Sequence, residues 1–179
     1  MAVYERAARA VAPYAFTATK GLVMAAGGVA GGYIRKMLKR NRYYAEYIEA
    51  NMKEWSPLAT SLIVAVVYAL ARDRILGYLG QYGEWLDDII IGIVAGFAAR
   101  QGGVLAGDTE IFVSGKMKVL AKNVGSISKV IVDGTDVTNS VSINGEEIDL
   151  SNAGISPGVH KVIALGGDKA AYEELYIPG

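Results

Sequence analysis

A chain of 179 residues with one histidine and no cysteine has few groups with which to do chemistry. Thiolate nucleophiles, disulfides and Cys-based metal sites are excluded. Carboxylates and a lone imidazole remain. Asp133, Asp136 and Asn139 recur at three-residue steps in Asp-Gly-Thr-Asp-Val-Thr-Asn. A calcium loop of the EF-hand type needs ligands at alternate positions and a distal Glu, so this spacing reads as a connecting turn. Glu146–Glu147 and Glu173–Glu174 fall in strand-like stretches, where neighbours point to opposite faces instead of converging on a substrate. Asp87–Asp88 stands at a helix start, where acids offset the positive end of the dipole. No P-loop, G-x-G-x-x-G, G-x-S-x-G or H-E-x-x-H is present. The expectation is a protein that is not an enzyme, with no cofactor, no metal and no small-molecule substrate.

A second group of residues could bind rather than react. Arg35, Lys36, Lys39, Arg40 and Arg42 cluster among Tyr33, Tyr43, Tyr44, Tyr47 and Trp55. A basic, aromatic helix of this kind suits the edge of an apolar layer, against lipid headgroups, because Tyr and Trp keep one end wet. The same cations could face nucleic acid phosphates. The plain alternative is a solvated helix face, with Glu46, Glu49 and Glu54 diluting the charge.

The elements around these residues fall into two kinds. Ala10 to Ile34 carries one charge, Lys20, and is mostly Ala and Gly. It is long enough for a bilayer span, which needs about 20 apolar residues. Pro13 should mark a first turn or a kink. Gly27 with Gly31, Gly28 with Gly32 and Gly92 with Gly96 form three G-x-x-x-G pairs. Glycine in a helix costs about 1 kcal/mol relative to alanine, and close approach of a second backbone is the usual compensation. These six glycines are therefore expected to be helix-packing positions. Ser56-Pro57 reads as a helix start with Ser as N-cap. The uncharged run from Leu58 ends at Arg72-Asp73-Arg74, only about 21 Å along a helix and short for a full span. Glu84 to Asp88 opens the last helix, which should end at Arg100 and Gly102–Gly103.

From Thr109 the period changes to two. Ile111 and Val113, Met117 and Val119, Val130 and Val132, Val141 and Ile143, and Ile148 and Leu150 alternate as half-buried strands do. Turn residues separate them, Asn144-Gly145 most clearly as a two-residue hairpin with both central residues at positive φ. About seven short strands in roughly 70 residues indicate a β-sandwich. Charge divides at the same place. Up to Ala106 there are 12 Lys and Arg against 8 Asp and Glu, and from Gly107 there are 6 against 10. The expected fold is α+β in two domains. Residues 1–106 form a hydrophobic helical assembly or membrane domain of three or four helices, and residues 107–179 an antiparallel β domain.

Ile148-Asp149-Leu150-Ser151 leads into Gly154-Ile155-Ser156-Pro157-Gly158-Val159-His160-Lys161-Val162-Ile163-Ala164. This stretch resembles the corner before the penultimate strand of immunoglobulin-like and fibronectin-type domains, with His160 where those families commonly carry a tyrosine. The resemblance implies an immunoglobulin-like β-sandwich for residues 107–179, with a structural corner residue at His160, hydrogen-bonded to nearby backbone. In hydropathy and Gly/Ala content the helical half is similar to capsid proteins of spindle-shaped archaeal viruses and to conjugative pilins, whose hydrophobic helices form a wall. That similarity implies a self-assembling structural subunit, many copies of which build a virion shell or a cell-surface filament and display the β domain. The alternatives are an integral, polytopic membrane protein with an immunoglobulin-like partner-binding domain, or a holin-like pore protein.

Overall fold

Three long helices come first. They are α1 (Val3–Lys39), α2 (Ser56–Leu79) and α3 (Gly83–Leu105). The computed structural model describes the backbone of residues 3–179 and the side chains of residues 20–179 apart from Gln81. Pro13 falls in α1, and its side chain lies outside the described residues. The helical signal that the sequence carries from Arg35 to Trp55 is broken twice. Asn41 accepts hydrogen bonds from the backbone N–H groups of Tyr43 and Tyr44 and starts a new helical turn, as an N-cap does. A π-helical turn follows at Ala45–Glu49, and Lys53, at φ 49°, ends the segment before a 3₁₀ turn leads into α2. The stop before α2 is therefore Lys53, and Ser56 already has helical backbone angles. α2 also continues past Arg72 to Leu79, and α3 runs through Gly102–Gly103 to Leu105.

Among the described residues eight strands follow, so the fold is α+β. They are β1 (Glu110–Gly115), β2 (Lys118–Lys122), β3 (Lys129–Val132), β4 (Thr135–Asp136), β5 (Ser142–Asn144), β6 (Glu147–Asp149), β7 (Gly158–Gly166) and β8 (Lys169–Ile177). Two antiparallel sheets result, in the orders β1-β2-β6-β5 and β4-β3-β7-β8. The alternating residues of both sheets meet in one core: Ile111, Val113, Val119 and Ile148 from the first, Val130, Val162, Leu175 and Ile177 from the second.

Turn chemistry sets the registers. Asp133-Gly134 joins β3 to β4 with both residues at positive φ, 50° and 84°, the type I′ pattern. Asn144-Gly145 departs from the expectation. Asn144 pairs with Glu147, so the central residues are Gly145 and Glu146, and only Gly145 has positive φ. That is the type II′ pattern, with glycine at the first central position.

By compactness the chain divides into two units, Met1–Gly32 with Ser61–Phe97, and Tyr33–Thr60 with Ala98–Gly179. Gly102–Gly107 marks the change from helix to strand. Compactness places the aromatic segment Tyr33–Thr60 with the strands, because Ala45 joins their core and Tyr44 is buried, bonded through its hydroxyl to Thr60 at 3.0 Å.

Candidate functional site

The first unit is built on glycine. Gly27 lies against Ile89 O and Gly92, Gly28 against Gly92 O, and Gly31 against Ile93. A Cβ on Gly96 would sit 3.1 Å from Gly28 O, and one on Gly92 would collide with Met24 O. Residue numbers rise together on the two helices, so α1 and α3 run parallel with their backbones nearly touching. Five of the six glycines singled out in the sequence thus pack within one chain. Gly32 faces open space. α2 runs antiparallel to α3, with Ser61 Oγ donating to Val94 O at 3.2 Å. Further along, the Arg72 guanidinium grips Asp87 through two bonds of 2.9 and 2.5 Å, and Tyr68 donates to the same carboxylate at 2.6 Å.

Much of the exterior of this unit is apolar, with Arg72, Asp73, Arg74 and Glu84 exposed towards the end of α2 and the start of α3. On α2, Leu62, Ile63, Val66, Val67 and Leu70 are exposed, Leu70 by 82%. Between Ser61 and Arg72 the only polar atom on a side chain is the Tyr68 hydroxyl, and it is turned to Asp87. Leu22 and Val29 on α1 and Ile91 on α3 are exposed as well. Tyr78, 92% exposed, Tyr82 and Trp85 stand where α2 ends and α3 begins. Among the described residues, α3 is long and apolar enough to cross a membrane by length and composition.

The second unit holds the basic cluster, and two of its five members are not at the surface. Arg35 pairs with Glu110, and Lys39 is fully buried, with its ammonium 3.0 Å from Glu110, 3.2 Å from Glu173 and 3.7 Å from Glu49. Arg100 completes the network on Glu110 at 2.6 Å. Three cations face three carboxylates, which is the condition for burying charge without stranding it. Lys39 is left with no exposed surface and Arg35 with about 9%. Arg40 and Arg42 are exposed but paired with Glu174 and Glu46, both at 2.8 Å, and Lys36 is exposed.

The buried pair has a second task. β1 is an edge strand, and in antiparallel pairing alternate residues turn their N–H and C=O away from the partner strand. At Ile111 and Val113 those groups face Lys39 and Glu49. Lys39 donates to Ile111 O, and Glu49 Oε2 accepts from Val113 N at 3.2 Å. Two side chains thus stand in for a neighbouring strand. The Lys39 ammonium also lies 4.8 Å from the centre of the Phe112 ring. Burial pushes the Glu49 carboxyl above its ordinary value, against the pull of Lys39.

Sequence reasoning missed Glu49, Glu110 and Glu173 as partners of the basic cluster. By sequence Glu49 reads as part of a solvated helix face and Glu173 as one side of a strand, and neither signals a partner for the cations. The separations of 64 and 72 residues that join Glu49 to Val113 and Lys39 to Ile111 could not be inferred from the sequence.

His160 lies where alternation places it, partly buried on β7 with Val162 and Ala164 buried beyond it. Its Nε2 is 2.7 Å from Ser156 O and its Nδ1 2.6 Å from Asp133 Oδ2, while Asp133 Oδ1 accepts from Lys161 N. These bonds hold the Asp133 carboxyl below its usual value, the backbone donor contributing most. Asp136 is used by Thr138 and Lys129. Among the described residues no group of three His, Asp or Glu side chains is placed to hold a metal ion. No protein-family model, no curated protein and no solved structure matches the chain.

Proposed function

We propose that the chain is a non-catalytic structural protein whose helical unit is embedded in lipid and which carries an immunoglobulin-like β-sandwich for display. The observation that carries the lipid reading is the exterior of α2. A helix surface facing water is polar, whereas this one is apolar from Leu62 to Ala71. Aromatic residues bracket it. Trp55 precedes α2 and Tyr78 nearly ends it, 23 residues or about 35 Å apart at the helical rise. That length suits a hydrocarbon layer of about 30 Å with Trp and Tyr at its two boundaries. Arg72, Asp73 and Arg74 lie inside the interval near its Tyr78 end and are exposed, with the charge of Arg72 matched by Asp87.

The sandwich reading is supported by strand order. β1-β2-β6-β5 and β4-β3-β7-β8 correspond to the A-B-E-D and C′-C-F-G sheets of immunoglobulin-like domains, and His160 at the start of β7 bonds back to backbone four residues upstream, as a tyrosine corner does.

Cell fractionation tests the lipid reading. The chain should pellet with membranes at alkaline pH and leave them only in detergent. Release as a monodisperse soluble monomer would defeat it. A second reading, assembly of many copies into a shell or filament, is favoured by the short uncharged run Leu58–Ala71, about 21 Å as a helix and thin for a bilayer. Electron micrographs of native material that show an ordered polymer stable without detergent would select it.

A further inference from the structure

The end of α1 and the segment that joins it to α2 have an exposed surface that neither the β core nor the charge network uses. Tyr33, Lys36, Met37 and Arg40 follow the i, i+3, i+4, i+7 spacing of one helical stripe, and all four are exposed. The turn at Asn41 then presents Tyr43 and Tyr47, which stack with ring centres 6.3 Å apart, while Tyr44 between them is buried. Met52 and Trp55 are exposed further along. Arg40 and Arg42 are offset by Glu174 and Glu46, but among the described residues Lys36 and Lys53 have no ion-pair partner. Aromatic and thioether surface thus lies open to the outside together with two uncompensated cations.

We propose that this surface, from Tyr33 to Trp55, takes up the headgroups of anionic phospholipids. The inference rests on the lipid reading of the helical unit and adds a choice of headgroup. Tyrosine and tryptophan at such positions place their rings at the acyl boundary and their polar ends among headgroups, and nearby lysines favour anionic ones. Nucleic acid is the weaker fit. Two free cations would give a salt slope of only about −2 for a duplex, far from the six to ten phosphate contacts of a strong binder. In a lipid layer the apolar helices supply the anchorage, so the lysines have only to discriminate between headgroups.

The test uses Trp55 as reporter. The chain has two tryptophans, so a Trp85→Phe background leaves Trp55 alone. The full chain is reconstituted in vesicles containing brominated phosphatidylglycerol or brominated phosphatidylcholine, and quenching is compared. Expected is a relative affinity for phosphatidylglycerol about thirtyfold above phosphatidylcholine in low salt, from about 1 kcal/mol for each of the two cations, fading at 0.5 M salt. Lys36→Gln with Lys53→Gln should bring the ratio close to one without changing quenching by phosphatidylcholine. Equal quenching by the two lipids in the parent chain would overturn the headgroup inference and leave the lipid reading intact. Absence of quenching by either lipid would overturn both. If a single-stranded oligonucleotide abolished the preference with a salt slope well above two, nucleic acid would be the occupant, and the proposal would fail.

Discussion

The two units bury opposite things. Where Tyr33–Thr60 and Ala98–Gly179 come together, the fully buried side chains are large, Phe112, Ile111, Ile148, Leu150 and Leu175, with Lys39, Glu49 and Glu110 sealed among them. In the helical unit Gly27, Gly31 and Gly92 are inside, while Leu22, Val29, Leu62 and Leu70 are outside. The first arrangement is driven by removing apolar area from water, and can carry a few charges provided they are matched. The second also buries Ile93 and Phe97, but where α1 meets α3 its contact is made by glycines. Its helices gain van der Waals contact by close backbone approach, which is how helices associate when the surrounding medium is itself apolar. The contrast is the one that the proposed lipid setting of the helical unit requires.

The sharpest way to break this contrast is to remove one member of the buried network. Lys39→Met should cost about 3–5 kcal/mol, because Glu49, Glu110 and Glu173 lose a shared cation in a dry site. Denaturant unfolding of the chain in detergent measures it. Adding Glu49→Met should recover part of the loss, and strictly additive costs would show that the pair does not act as a unit.

Next in size is Gly92→Ala. Its Cβ meets Met24 O, a backbone atom that cannot turn aside, so about 1–3 kcal/mol should be lost to overpacking. Gly32→Ala is the control, since it faces open space and should gain up to about 1 kcal/mol of helix propensity. Equal effects of the two substitutions on thermal unfolding would remove the close-packing account of α1 and α3.

His160→Ala, which deletes the bond to Ser156 O, should cost about 1 kcal/mol by the same unfolding assay and leave the helical unit unchanged.

The smallest effect is a pH slope. The unfolded Glu49 carboxyl titrates near 4.5, and burial raises the folded one above that. Between the two values the folded chain holds a proton that the unfolded chain lacks, so stability falls as pH rises through this window. Glu49→Gln keeps an acceptor for Val113 N and should flatten that part of the pH–stability curve. A slope unchanged by the substitution would assign it to another group.

Period and turn chemistry made the division into helix and strand legible before any coordinates, since apolar residues two apart and apolar residues on a Gly/Ala background are different physical patterns. The glycine pairs announced close packing, but not that the second backbone belonged to the same chain. A G-x-x-x-G face is complementary to another such face wherever that one comes from. The basic cluster misled for a related reason. Five cations within eight residues suggest a surface, and nothing local to Arg35 or Lys39 signals carboxylates on strands many residues away. Asn144-Gly145 was placed in the right hairpin but one residue out of register, because Asn144 pairs across to Glu147 instead of turning.

The side chains that complete the β1 edge are made before the strand they complete, Lys39 and Glu49 preceding Ile111 and Val113 by 72 and 64 residues. During synthesis, the six residues of Glu110–Gly115 therefore emerge into the presence of their own cap. A fragment begun at Gly107 would have no such shelter. Its outer strand would offer Ile111 O and Val113 N to any passing chain, and open edges of this kind join one another into aggregates. The N-terminal segment serves the C-terminal strands as a tethered escort, and a truncation that looks natural in the sequence would part the two.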